Sequence, residues 1–169
     1  HSTLSLDGQN SSSPADNRMA TTSDIEFGQV DGGLMTTASH SGYEKSHGIV
    51  HHRTLYLATN GGNLRGADRL EYTGAPGELP RQAIIRFHLH PKVSAAVLGN
   101  GRVLMKIRGN RIGWIFKAGK CSVAIDTSIY FDAGVRQSAQ QIVLTAPMTT
   151  IRSIGSQDIK WAFQRNDTV

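Results

Sequence analysis

Within the fifteen residues SHSGYEKSHGIVHHR, Ser39 to Arg53, stand four of the chain's seven histidines: His40, His47, His51 and His52. Imidazole is the commonest metal ligand among side chains and the one whose charge changes near neutral pH. Such a cluster therefore has three uses open to it: binding a metal, moving a proton, or forming the polar edge of a β-protein. Tyr43 and His47 match an acid/base pair by residue type, although a tyrosine beside a turn glycine, Gly42, is more often a packing anchor. Further on, His88 and His90 form an HxH pair, which on a strand presents two nitrogens to zinc if other ligands come from elsewhere. No cysteine or carboxylate lies close to that pair in sequence, so His88 and His90 read first as outward polar or interface residues.

The elements that must position these side chains are strands. In AIIRFHLH, Ala83 to His90, Ile85, Phe87 and Leu89 alternate with Arg86, His88 and His90, the period of two of a half-buried strand, and Pro91 stops it. RVLMKI (102–107), GWIFK (113–117), CSVAID (121–126), QIVLT (141–145), IRSI (151–154) and IKWAFQR (159–165) follow the same pattern. Asn100-Gly101, Gly109-Asn110, Ala133-Gly134, Gly119 and Pro147 punctuate them as turns. Short strands with turn signals at intervals of roughly ten residues predict an all-β fold, an antiparallel β-sandwich of many short strands, poor in helix. HSTLSLD and Leu34 to His40 also read as strands, whereas the polar stretch between them predicts a long loop over 8–33, and 166–169 a flexible tail. In the strand that carries the cluster, Ile49, His51, Arg53, Leu55 and Leu57 share one face, and Val50, His52, Thr54 and Tyr56 the other. His51 and His52 thus point apart and cannot both serve one small site.

Length and charge set the bounds. The 169 residues suffice for one domain with a real core. No apolar run approaches the roughly 18 residues of a membrane span, so no membrane partner is expected. Cys121, the single cysteine, cannot form an internal disulfide and leaves the redox compartment open. The chain opens on HSTLSLDGQ, with no initiating Met and no signal peptide, and reads as a fragment of something larger. Eighteen Lys and Arg against thirteen Asp and Glu give +5 and favour anionic partners. The basic residues are scattered along the sequence and aromatics make up only 7%, which does not match a nucleic-acid binder.

The succession HSTLSLDGQNSS, ASHSGYEKSHGIVHHRTLYL, GGNLRGADRLEY, AIIRFHLHP, QQIVLT and IKWAFQR resembles the C-terminal β-domain of heparinase II/III-like polysaccharide lyases, over nearly the whole of 1–169 and most closely the alphaproteobacterial type. The resemblance implies a bacterial enzyme in which an N-terminal α/α toroid, absent here with the start of the β-domain, joins a β-sandwich around the active site. It implies β-elimination on uronic-acid-containing polysaccharide: a base takes the C5 proton, an acid protonates the leaving O4, and polar groups neutralise the carboxylate. The catalytic residues of that scheme precede His1, so no catalytic residue and no cofactor is expected in this fragment, and it is expected to be inactive alone. One family position falls inside. His1 matches the last of the His, Asp and His ligands of a structural zinc in several members, whose other two ligands would lie upstream; an exposed terminal residue is the other reading. Within the resemblance Tyr43 and Arg53 organise the sandwich, and the histidine cluster is mainly structural, with His51 or His52 facing the cleft as the competing reading. The expected partners are an acidic polysaccharide, the missing toroid, and a second copy through an exposed edge; nucleic acid is not among them. The competing function is a non-catalytic carbohydrate-binding or assembly module. Periplasm and cytoplasm are both open.

Overall fold

Segments whose apolar residues alternate can bury one face only by pairing side by side, and here they pair antiparallel throughout. The computed structural model describes residues 2–17, 19–74 and 77–167. Its strands are β1 (Leu4–Leu6), β2 (Thr22–Val30), β3 (Gly33–Tyr43), β4 (Ile49–Ala58), β5 (Asn63–Tyr72), β6 (Gln82–His88), β7 (Val93–Val97), β8 (Val103–Ile107), β9 (Gly113–Ala118), β10 (Ser122–Asp132), β11 (Val135–Pro147) and β12 (Ser156–Asn166). Helix among the described residues is limited to a 3-10 turn at Pro14–Asp16 and two single turns, α1 (Glu44–His47) and α2 (Ile151–Ile154). One sheet runs β1-β6-β11-β10, the other β2-β3-β4-β5-β12-β9-β8-β7. This is the expected all-β sandwich.

The core lies between the sheets. Leu4, Leu6, Ile85, Phe87, Ile142 and Leu144 of the smaller sheet are buried together with Ile49, Leu70, Val103, Phe116, Ile159 and Trp161 of the larger one. The Phe87 ring is the hinge of the aromatic packing, with its centroid 4.7 Å from Trp161 and 5.2 Å from Phe116. Tyr43, fully buried, ties the sheets by a hydrogen bond: its hydroxyl donates to the Leu4 carbonyl at 2.7 Å.

Three expectations need correction. Thr22–Val30, read as part of a long loop over 8–33, is a strand that forms a hairpin with β3 around Asp31-Gly32. It is exposed on both faces, so nothing requires the apolar alternation by which strands are recognised; backbone pairing and the Asp-Gly turn, with Gly32 at φ 73, make it. Ile151–Ile154 is a helical turn, not a strand. Only Ile151 is buried, and Gly155, at φ 77, closes the turn in the left-handed conformation. Of the tail expected at 166–169, Asn166 is the last residue of β12 and pairs with Gly113, Asp167 takes a hydrogen bond from Arg165, and Thr168 and Val169 lie outside the described residues.

Packing of the Trp161 indole requires a glycine at position 66. Gly66 sits in register between Leu55 and Trp161, and a Cβ there would overlap the Trp161 indole. Gly66→Ala is expected to cost about 3 kcal/mol, the range of core overpacking with a displaced hydrogen bond, and to lower the thermal midpoint by roughly 10 °C. A midpoint within a degree or two of the parent's would contradict this packing.

Candidate functional site

The strand face that carries Ile49 also carries His51 and Arg53 inward, and β5 places Asp68 directly opposite Arg53. Asp68 is in phase with Leu64, Gly66 and Leu70 and is therefore driven into the interior, where it is 0% exposed. A carboxylate there needs donors, and it has three. Oδ1 accepts from His51 Nε2 and Arg53 Nε, both at 2.7 Å, and Oδ2 accepts from Trp161 Nε1 at 2.8 Å. From β3, His40 adds a further link: its Nε2 lies 2.9 Å from His51 Nδ1, while its own Nδ1 accepts from the Gly42 backbone N–H at 3.2 Å.

This chain of bonds has one consistent set of neutral tautomers. Gly42 occupies the His40 Nδ1 lone pair, so the His40 proton is on Nε2 and is donated to His51 Nδ1; the His51 proton is then on Nε2 and goes to Asp68. Burial pushes the Asp68 carboxyl up, but the hydrogen bond from His51 and the Arg53 guanidinium outweigh it and hold it below the usual carboxylate range. The His40 imidazole is pushed down to about 4, by burial first and then by the neighbouring His51. Arg53 also reaches out of the network, donating from Nη1 to the Ser2 carbonyl at 3.0 Å. Every lone pair and proton of His51 is thereby committed, which leaves it nothing with which to abstract a proton from a ligand.

The other sequence candidates lie apart. His52 points to the opposite face and sits 3.3 Å from Glu71 Oε2. Tyr43 and His47 are not bonded to one another: their ring centroids are 6.5 Å apart, and His47 Nδ1 donates to the Glu78 carbonyl at 2.8 Å. His88, on the outer face of the smaller sheet, lies 2.6 Å from Ser128 Oγ, whereas His90 falls beyond the strand end and accepts from the Lys92 N–H. The two do not form a metal pair. His1 lies outside the described residues, and among those described no three His, Cys, Asp or Glu side chains converge as metal ligands. A zinc donor set is thus not complete within them. The Cys121 thiol is pushed up by burial, away from the reactive thiolate.

A second feature had no signal in the sequence. On the outer face of the larger sheet a groove of about 780 Å³ is bounded by Tyr56, Arg65, Arg102, Lys117, Lys160 and Gln164. The scattered basic residues meet here because β12 lies between β5 and β9: Ala162 stands in register with Arg65 on one side and Lys117 on the other.

The profile of Heparinase II/III-like, C-terminal domains matches residues 1–162. The chain belongs to this family. It is 33% identical over 137 residues to FtsZ-localized protein C of Caulobacter vibrioides, an alignment that takes in 77% of this chain and 23% of that protein. Its fold is that of the heparan sulfate lyase HepC from Pedobacter heparinus (TM-score 0.75, 15% identity, 99% of this chain and 24% of the other). It is likewise that of heparinase III (TM-score 0.68, 16% identity, 100% and 24%). The chain spans about a quarter of the length of these relatives. In this heparinase II/III-like domain the residues GYEKSHGIVHHR and LRGADRL, which carry the resemblance, supply His51, Arg53 and Asp68, so much of the motif is the wiring of the core.

Two outcomes follow for that wiring. Asp68→Asn removes the charge that Arg53 was folded against and confronts one of the three donors with an amide N–H; it is expected to lower unfolding free energy by about 3 to 5 kcal/mol in urea titrations, and a loss below about 1 would contradict the network. The pH dependence has a definite sign. The unfolded His40 binds a proton near 6.5 and the folded one only near 4, so between these values the unfolded chain holds more protons. Stability from this group is complete above about pH 6.5 and falls as the pH drops toward 4. His40→Gln, whose amide keeps a donor without titrating, is expected to have a shallower fall of thermal midpoint over that range; equal slopes would contradict the assignment.

Proposed function

We propose that this chain is the C-terminal β-sandwich of a polysaccharide lyase that cleaves a uronic-acid-containing chain by β-elimination, with the base and acid of that step supplied by another part of the protein. Membership of the heparinase II/III-like family over residues 1–162 is the observation that carries this reading. Elimination needs a base poised at C5, an acid at O4 and a group that neutralises the adjacent carboxylate, all within hydrogen-bond reach of one sugar. The buried imidazoles do not meet that need: His51 is closed between His40 and Asp68, and His47 donates to a backbone carbonyl. The domain's part is then to complete the protein's cleft and hold acidic polysaccharide, and a zinc bound through His1 belongs to the same proposal. A non-catalytic assembly module is the second reading. It is favoured by the 33% identity to a relative named for its localisation with FtsZ.

Ultraviolet absorbance of unsaturated uronate separates the two. The chain joined to the N-terminal region of its parent is expected to generate that signal from at least one of a panel of uronate polymers, and the chain alone from none. Turnover by the isolated chain would overturn the division of labour. Binding of the polymers by the longer protein with no absorbance change would establish the assembly reading instead.

A further inference from the structure

Among the described residues three guanidinium groups pair with carboxylates: Arg53 with Asp68, Arg69 with Asp158, Arg165 with Asp167. The groove on the outer face of the larger sheet is built otherwise. Arg65, Arg102, Lys117 and Lys160 border it, no Asp or Glu does, and among the described residues none of the four takes part in an ion pair. Two of the cations are nonetheless held in place, and by neutral partners. The Arg65 guanidinium lies 5.5 Å from the centroid of the Tyr56 ring and its Nε donates to Asn63 Oδ1 at 3.3 Å; Lys117 Nζ donates to Gln164 Oε1 at 3.4 Å. Such contacts fix position without cancelling charge, which is how a site for an anion is preorganised.

The floor fits an extended ligand. Tyr56, Arg65, Ala162 and Lys117 form one lateral row across four adjacent strands, with Thr54, Ala67 and Lys160 in the neighbouring row. Arg65 and Lys117 are therefore two strand spacings apart, on the order of 10 Å, close to the repeat of a disaccharide, with only the Ala162 methyl between them. Beside the cations, Thr54, Asn63 and Gln164 offer neutral hydroxyl and amide groups, so carboxylates and hydroxyls of a sugar chain both find partners. Nucleobases find less, because the Tyr56 ring already stacks with Arg65 and bases need a free aromatic face. A lipid surface finds less as well: the exposed large apolar residues, among them Phe27, Phe131 and Ile154, lie outside the groove.

We infer that this groove is a binding site for a linear polyuronate, with Arg65 and Lys117 as the carboxylate contacts. The inference deepens the lyase-type reading by placing acidic polysaccharide on the sheet's outer face.

Calorimetric titration of the chain with a short alginate-derived oligouronate, at low and at physiological salt, tests it. The double variant Arg65→Glu, Lys117→Glu is expected to bind about tenfold or more weakly, the loss of one or two charge-assisted contacts, with an unchanged circular dichroism spectrum. Arg136→Glu with Arg152→Glu makes the same change in net charge elsewhere and is expected to leave affinity within about twofold. Ala162→Leu fills the floor at constant charge and is expected to weaken binding as well. Equal losses in both double variants, undiminished binding by Ala162→Leu, or no binding even at low salt would overturn the inference. So would tighter binding of single-stranded DNA, polyglutamate or anionic vesicles at the same residues. Binding by the groove in a parent that releases no unsaturated product would sink the lyase reading and leave this site standing; turnover by a parent whose groove variants bind normally would do the reverse.

Discussion

The Asp68 carboxylate is the constraint on which the sandwich depends. A buried charge is costly unless it is paired and fully hydrogen-bonded, so the chain must bring three donors to one point: His51 and Arg53 from β4 and the Trp161 indole from β12. Each donor imposes a further condition. His51 is held in its tautomer by His40 on β3, Trp161 requires a glycine at position 66 on β5, and Arg53 extends to the carbonyl of Ser2. One carboxylate thereby fixes the register of β3, β4, β5 and β12 and the placement of the segment that leads into β1.

The same arrangement divides the larger sheet between two tasks. Its inner face is spent on packing, with the imidazoles that looked most reactive used as spacers and donors. Its outer face is free of that duty and gathers in the groove four cations that take part in no ion pair among the described residues. The period of two makes the division unavoidable: Arg65 faces out because Leu64 and Gly66 face in, and Lys160 and Ala162 face out because Ile159, Trp161 and Phe163 face in.

The strand pattern and the opposition of His51 and His52 were legible in the sequence, because both follow from local alternation. β2 was not, since an edge strand exposed on both sides needs no apolar phase, and Asp31-Gly32 was its one local sign. α2 was missed because Ile151 and Ile154 fit either a short strand or a helical turn. Asp68 did carry a signal: a carboxylate in phase with Leu64 and Leu70 on an otherwise apolar face must find buried donors. The groove carried none. Its residues stand at positions 65, 102, 117 and 160 and meet only because the last strand inserts between β5 and β9, a long-range pairing that no local pattern encodes.

The claim that the histidine cluster is core wiring and not reactive chemistry is tested most directly by the protonation of its rings. Nitrogen-15 NMR of the imidazoles near neutral pH is predicted to find His40 neutral with its proton on Nε2 and the His51 proton on Nε2, each coupled through its hydrogen bond to the next group in the chain toward Asp68. An imidazolium at His40, or a proton on His51 Nδ1, would contradict the account.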